Sequence, residues 1–319
     1  MSVSLPHVVP SSSIGGPVTI YEVGPRDGLQ NEESVVPTEV KAELVRRLVA
    51  AGLTTIETTS FVSPRWVPQL ADAGELLESL GEAGRGARRP VLVPNERGLD
   101  RALEHGVGAV AIFGSATETF AQRNLGRSVA ESVEMFAPVV KRARDEELWV
   151  RAYVSMAFGD PWEGPVPIPQ VADVCERLMA LGADQLSLGD TIGTGTPGHV
   201  EALLAELDAR GIGVERIGVH FHDTYGQALS NTMAALRAGV RVVDASTGGL
   251  GGCPYAKSAT GNLATEDLVW ALHGLGIETG VDLDALVVTS VWMAEQLGRP
   301  APSRVVKALA GADMTVTDG

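Results

Sequence analysis

The chain has 319 residues, 45% of them apolar. That is enough for one large core, since α/β barrels reach about 250 residues or more as one unit. Lys and Arg number 25 against 40 Asp and Glu, a formal charge of −15, which excludes a generally basic surface for nucleic acid or anionic membrane.

The first sixteen residues, ending Ser11-Ser12-Ser13-Ile14-Gly15-Gly16, are small and polar and contain no Lys or Arg. They read as a disordered tail rather than a secretory or transit leader, and 17–319 as a single domain. From there β-branched runs alternate with amphipathic stretches. Strands are predicted over 18–23, 54–60, 89–94, 108–114, 148–156, 184–189, 216–222 and 240–246. Helices are predicted over 38–51, 66–81, 97–106, 128–145, 169–182, 197–209, 226–238 and 264–275. Thr38 reads as the cap of the first helix, and Pro169 and Pro197 stand in first turns. Gly52, Gly182, Gly211 and Gly239 follow helix ends. Eight strand–helix units favour a closed (β/α)8 barrel over an open sheet. From about residue 276, two further helices (282–297 and 301–311) read as a cover for one barrel end, an extension of the active-site face or a subunit contact. No run of about 18 or more apolar residues occurs, so no membrane span is expected. Two cysteines, Cys175 and Cys253, fit a reducing, cytoplasmic compartment and exclude a disulfide framework.

Polar groups gather where the strands end: Arg26 and Asp27, then Glu57, Thr58 and Ser60, Asn95, Ser187 and Asp190, His220 and His222, Ser246 and Thr247. In a (β/α)8 barrel those ends share one face, where chemistry occurs. Within Val219-His220-Phe221-His222-Asp223 the histidines point the same way, because strand side chains alternate. With Asp27 and Asn262 they make a mixed N/O set suited to Mg²⁺ or Mn²⁺, with Zn²⁺ or Co²⁺ also compatible. Asp223 reads either as a group orienting a metal ligand or as a helix cap.

Arg26 and Asp27 sit between Gly24-Pro25 and Gly28, a tight turn that fixes both side chains. An arginine there suits an oxygen that gains charge during reaction. Glu57, a charge amid β-formers, needs a partner if it faces inward, and Arg26 is the natural one; the other reading is an outward glutamate. Cys253 lies among four glycines at 248–252, where a loop approaches a ligand closely and a thiol can donate a proton; a lone cysteine is otherwise a packing residue, the reading given to Cys175. The glycine-rich loop lacks the P-loop ending and the dinucleotide fingerprint, which argues against a nucleotide-phosphate cradle. No nicotinamide, flavin or pyridoxal cofactor is expected. Gly193-Thr194-Gly195-Thr196 reads as an anion-binding turn or a plain loop.

Several long segments resemble 3-hydroxy-3-methylglutaryl-CoA lyases, of the DRE-TIM metallolyase superfamily. They are Tyr21 to Glu32, Ile56 to Pro68 (IETTSFVSPRWVP), Ser187 to Pro197, His220 to Ala228 (HFHDTYGQA) and Gly249 to Leu268 (GLGGCPYAKSATGNLATEDL). The resemblance runs in order from about residue 18 to 300. It implies a (β/α)8 barrel with Asp27, His220, His222 and Asn262 as metal ligands, Arg26 stabilising an enolate, and Cys253 in proton transfer on a mobile loop. It implies Glu57 and Asp190 as supports, Gln30, Ser60 and Ser187 beside Arg26 as substrate contacts, and a homodimer or higher homo-oligomer. The implied reaction is retro-Claisen cleavage of the thioester to acetyl-CoA and acetoacetate, with Asp27 or His220 as base. Candidate contacts to the CoA phosphates are Arg65, Arg123 and Lys257. The alternatives are a lyase for another 3-hydroxyacyl chain, a Claisen-type synthase, and a non-catalytic metal- or CoA-binding barrel. The sequence departs from the animal enzymes at Ser155 to Gly164, where those carry cysteines.

Overall fold

The computed structural model describes residues 6–81, 86–253 and 256–312, with 253, 256–260 and 311–312 given by backbone alone. Its strands are β1 (Thr19–Glu22), β2 (Thr55–Ile56), β3 (Thr59–Ser60), β4 (Val91–Leu92), β5 (Ala109–Ser115), β6 (Trp149–Ser155), β7 (Gln185–Asp190), β8 (Ile217–Phe221) and β9 (Val242–Ala245), with a separate hairpin of β10 (Gly252–Cys253) and β11 (Ala256–Thr260). The helices are α1 (Thr38–Ala50), α2 (Ala73–Leu80), α3 (Glu96–Glu104), α4 (Glu118–Leu125), α5 (Val129–Asp145), α6 (Ile168–Ala180), α7 (Pro197–Ala209), α8 (Ala228–Arg237), α9 (Thr265–Gly274), α10 (Leu283–Leu297) and α11 (Arg304–Ala312).

The parallel sheet runs β2-β1-β9-β8-β7-β6-β5-β4-β3. Its two edges, β2 and β3, are halves of one strand, so the sheet closes into a (β/α)8 barrel. Between them Glu57 N donates to Glu22 O at 2.8 Å and Thr58 N to Pro90 O at 3.0 Å, which joins the seam on both sides. Strands of a closed parallel barrel are covered on both faces, which is why runs such as Ala109–Ser115 read as nearly unbroken apolar stretches. The core lies mainly between the outer strand faces and the helices.

Four expectations change. Thr38 is not the cap of α1: Pro37, at φ −59° and ψ 145°, precedes the helix, and the Thr38 hydroxyl donates to Asp72 Oδ2 at 2.8 Å. The helix expected from 66 begins at Ala73, because the chain first makes a tight turn over Pro68–Leu70. Helix α4 was not foreseen; it ends at the left-handed Gly126, immediately before the capping box of Ser128 and Glu131 starts α5. Residues 9–14, read as part of a disordered tail, are held: Val9 N donates to Gly274 O and Ser11 N to Leu275 O, and Ile14 is buried.

The C-terminal extension spans the height of the barrel on its flank. Asp282 N donates to Ala51 O at 2.8 Å below the strands, beside Gly52. Gly52 has φ +94°, and a Cβ there would lie 2.1 Å from Gly280 O, so the backbones meet only because the side chain is absent. Higher up, the Ser290 hydroxyl of α10 lies 2.8 Å from that of Thr247, and Ser303 N donates to Gly248 O at 3.1 Å before α11. The extension thereby braces the base of the glycine-rich loop.

Candidate active site

β1 ends in a π-helical turn over Gly24–Gly28, where the amides of Arg26, Asp27 and Gly28 all converge on Val23 O. A Cβ on Gly28 would stand 2.7 Å from Ser246 Oγ and 2.8 Å from Leu250 Cβ, so the turn packs against the base of the loop. It points Arg26 and Asp27 into the barrel mouth. Arg26 Nη1 donates to Asp27 Oδ1 at 2.7 Å, and Nη2 to Glu57 Oε2 at 3.0 Å. Glu57 therefore faces inward and has the expected partner. The Tyr153 hydroxyl donates to the same Glu57 oxygen, and its ring lies 5.4 Å from the Arg26 guanidinium. In the sequence Tyr153 carries no signal beyond its inward parity on β6.

Asp27, His220 and His222 each offer a ligand atom, and these atoms lie within 4.8 Å of one another. Asn262 pairs with His222 across an antiparallel bridge. Its amide nitrogen donates to Asp27 Oδ2 at 2.8 Å and Leu250 O at 3.2 Å; the reversed amide, of the same shape, would present oxygen to Asp27's side. The expected quartet is thus brought together. Burial opposes a charge on Asp27, yet Arg26, aided by the two imidazoles, holds it well below the usual carboxylate range. Burial and the neighbouring His220 push His222 down to about 3, which favours the neutral ring, and its buried Nδ1 has no hydrogen-bond partner among the described residues. An ionised carboxylate beside a neutral imidazole with an orphaned nitrogen is a donor set that fits a divalent cation.

Asp244 was not foreseen. Its Oδ2 lies 3.2 Å from His220 Nδ1, and its Oδ1 accepts from Arg151 Nη2 at 2.6 Å. Burial opposes the proton on His220, but the Asp244 contact raises it above the ordinary histidine value. Both Arg151 and Asp244 carried the same signal as Glu57, a charge within a β-forming run.

The other expected residues divide. Gln30 and Arg123 line a cavity of about 340 Å³ together with Arg26, Asp27, Tyr153 and both histidines. Ser60 and Ser187 are buried and do not line it: Ser60 Oγ accepts from Val62 N, and the Ser187 hydroxyl donates to Asp244 Oδ2 at 3.1 Å. Asp190 accepts from Thr194 N at 2.9 Å and Gly195 N at 3.0 Å, so those amides meet a carboxylate within the chain rather than an anion; burial pushes Asp190 up to about 6. Asp223 accepts from Ala228 N at the start of α8 and pairs with Arg304, which is the helix-cap alternative. Arg65 lines a separate cavity with Arg97 and Arg101. The side chains of Cys253 and Lys257 lie outside the described residues. Cys175 is buried in α6, as expected of a packing residue, and burial pushes its thiol up to about 12.

Two buried glutamates secure the loop base. Glu22 accepts from Gly24 N and Thr247 N, both at 2.8 Å, and from the Thr265 hydroxyl at 2.6 Å. Glu266 accepts from Gly248 N and from the Ser290 hydroxyl. Burial raises Glu22 to about 8 and Glu266 to about 7.

A family model described as HMGL-like matches residues 17–292. The chain is 48% identical over 305 residues to the mitochondrial hydroxymethylglutaryl-CoA lyase of Arabidopsis thaliana, covering 95% of this chain and 65% of that protein. The crystal structure of hydroxymethylglutaryl-CoA lyase from Pseudomonas aeruginosa is similar with a TM-score of 0.91 at 47% identity, covering 94% of this chain and 99% of that one. An Acinetobacter baumannii HMG-CoA lyase in complex with coenzyme A and 3-methylmalate aligns at a TM-score of 0.87 and 35% identity, covering 94% of this chain and 97% of that one.

Proposed function

The chain belongs to the HMGL-like family, and from that premise we propose that it is a carbon–carbon lyase cleaving 3-hydroxy-3-methylglutaryl-CoA to acetyl-CoA and acetoacetate. The observation that carries the reading is the joining of Arg26 to Asp27 beside two histidines on the wall of one cavity at the barrel mouth. A divalent cation, Mg²⁺ or Mn²⁺, would be held by Asp27, His220, His222 and Asn262. When bound it supplies Lewis-acid polarisation of the substrate oxygens.

The residues of the chain then account for the rest. Asp27 takes the proton of the tertiary hydroxyl, since His220, the other candidate, has one ring nitrogen against Asp244 and the other turned to the cation site. The carbon–carbon bond breaks as that oxygen becomes the ketone of acetoacetate, and the electron pair moves onto the thioester to give the acetyl-CoA enolate. Arg26, a charged donor kept in place by Glu57, faces the developing oxyanion and stabilises it electrostatically. A proton supplied from the Cys253 loop completes acetyl-CoA. Tyr153 holds Glu57 from the other side, and the apolar wall of Leu92, Phe113 and Val62 keeps water from the enolate. Arg123 on the cavity rim suits a CoA phosphate in a chain otherwise charged −15.

Homo-oligomerisation and a cytoplasmic location complete the proposal; the first rests on the family, the second on the low cysteine content. No described helix is long and apolar enough to cross a membrane.

The test is product analysis by mass spectrometry with a panel of 3-hydroxyacyl-CoA thioesters, after chelation and resupply of metal. Acetoacetate from the methylglutaryl thioester is expected. Pyruvate-type products, or turnover of other acyl chains alone, would overturn it.

A further inference from the structure

We propose that Asp244, itself held by Arg151, is a positioning residue that keeps His220 in its Nδ1–H tautomer and leaves Nε2 bare toward the cation site. The proposal rests on the metal reading only for what Nε2 then binds.

Asp244 stands on β9 opposite His220 on β8; the two are partners in the parallel register. The carboxylate has two different faces. Oδ1 accepts from Arg151 Nη2 at 2.6 Å. Oδ2 accepts the Ser187 hydroxyl at 3.1 Å and lies 3.2 Å from His220 Nδ1. The side chains of Arg151 and Asp244 are both 0% exposed. The guanidinium sits 3.8 Å from the Tyr21 ring centroid and 5.1 Å from that of Tyr153, so no water shares its charge from those sides.

The chemistry follows from donor counting. A guanidinium keeps its protons in a protein and only donates. That of Arg151 lies 2.6 Å from Asp244 Oδ1 with neither side chain reaching solvent, a pair that keeps the carboxylate ionised, and an ionised carboxylate only accepts. His220 Nδ1 therefore donates, and in the neutral ring the lone pair resides on Nε2. His220 is thus oriented from within the barrel, by a carboxylate on the neighbouring strand. A ligand oriented in this way binds metal more tightly than a free ring, typically by about 10–100-fold.

Asp244→Asn gives the sharpest test. Arg151 still demands an acceptor, so the amide oxygen turns to it and the NH2 faces His220 Nδ1. That reverses the tautomer and puts the hydrogen on Nε2. Two measurements are made on metal-free and Mn²⁺-titrated protein. In ¹⁵N-histidine NMR spectra recorded above the His220 titration, with His220 assigned by its absence in His220→Gln, wild type is expected to show Nδ1–H and Asp244→Asn to show Nε2–H. By calorimetry, Asp244→Asn is expected to bind Mn²⁺ about 10–100-fold more weakly. Ser187→Ala, which leaves the Arg151 pair intact, is expected to keep Nδ1–H.

Wild type with Nε2–H at His220 would overturn the assignment. So would a folded Asp244→Asn protein with unchanged tautomer and Mn²⁺ affinity. Should Asp244→Asn fail to fold, the wild-type spectrum decides alone. Nδ1–H in a wild-type protein that binds no Mn²⁺ would support the assignment and sink the metal reading instead.

Discussion

Arg151→Met removes one end of the Arg151–Asp244 pair while filling much of its volume. The pair is 2.6 Å long, and neither side chain reaches solvent. Leaving one member of such a pair alone in the interior costs about 3–5 kcal/mol. The stacking of the guanidinium on Tyr21 at 3.8 Å is lost as well, which places the expectation at the upper part of that range. For a domain of this size the midpoint of thermal unfolding should drop by roughly 6–8 °C. The pH dependence has a definite sign. In wild type, burial works against the Asp244 charge but Arg151 holds the carboxyl below its ordinary value, so the group contributes stability above the unfolded carboxylate range. Without Arg151, burial dominates and the folded pKa rises above the unfolded one. Such a group stabilises only at low pH, and that contribution disappears as pH rises through its folded value. The deficit of the variant should therefore widen from about pH 4 to pH 7. Urea and thermal melts across that range measure it. The double variant Arg151→Met/Asp244→Asn should lose several kcal/mol less than the sum of the single ones, because neither lone charge remains. A single variant within about 1 kcal/mol of wild type at neutral pH, or an additive cycle, would refute the reasoning.

Arg26→Lys loses the fork that grips Asp27 and Glu57 together, and turnover should fall by about 100-fold or more with the fold intact by circular dichroism; near-native turnover would remove Arg26 from enolate stabilisation. Chelation should abolish cleavage and Mn²⁺ restore it; since Asp244 raises His220, protons compete for that ring, so calorimetry should find weaker Mn²⁺ binding at pH 6 than at pH 8. Gly52→Ala forces a Cβ 2.1 Å from Gly280 O at φ +94° and should destabilise by at least about 1 kcal/mol in denaturant titrations, while KM stays unchanged because the clash lies below the strands. Burial raises Glu22 to about 8, so its contribution to stability is present below the unfolded carboxyl pKa and is lost as pH rises toward 8. Glu22→Gln should flatten the decline in stability between pH 5 and pH 8 seen in thermal melts; an unchanged slope would show that the three donors around Glu22 keep it ionised.

The barrel was legible because each strand is a short run that both layers bury, and because glycines such as Gly182 and Gly239 close the helices with φ of 104° and 107°. Helix α4 was not, since two helices occupy one connection and periodicity expects one. The ligand set was legible for a related reason: strand parity determines which side chains face inward, and the strand ends determine which side chains share a mouth. Parity says nothing of depth, and there Ser187 misled. The register pairs His220 with Gly189, so Ser187 lies one inward step below the histidine, where its hydroxyl meets Asp244 instead of the cavity. The same limit hid Asp244 and Arg151. They stand on strands 93 residues apart in sequence, and only the closing of the barrel tells which inward charge meets which. Glu57 escaped that ambiguity because Arg26 stands at the exit of the adjoining strand. Inward charges on a barrel are thus a signal that partners exist, and the register is what assigns them. Counting inward charges by level would have paired Arg151 with Asp244 one layer beneath Arg26 and Glu57, leaving His220 at the boundary between the two layers, where a side chain can answer to both.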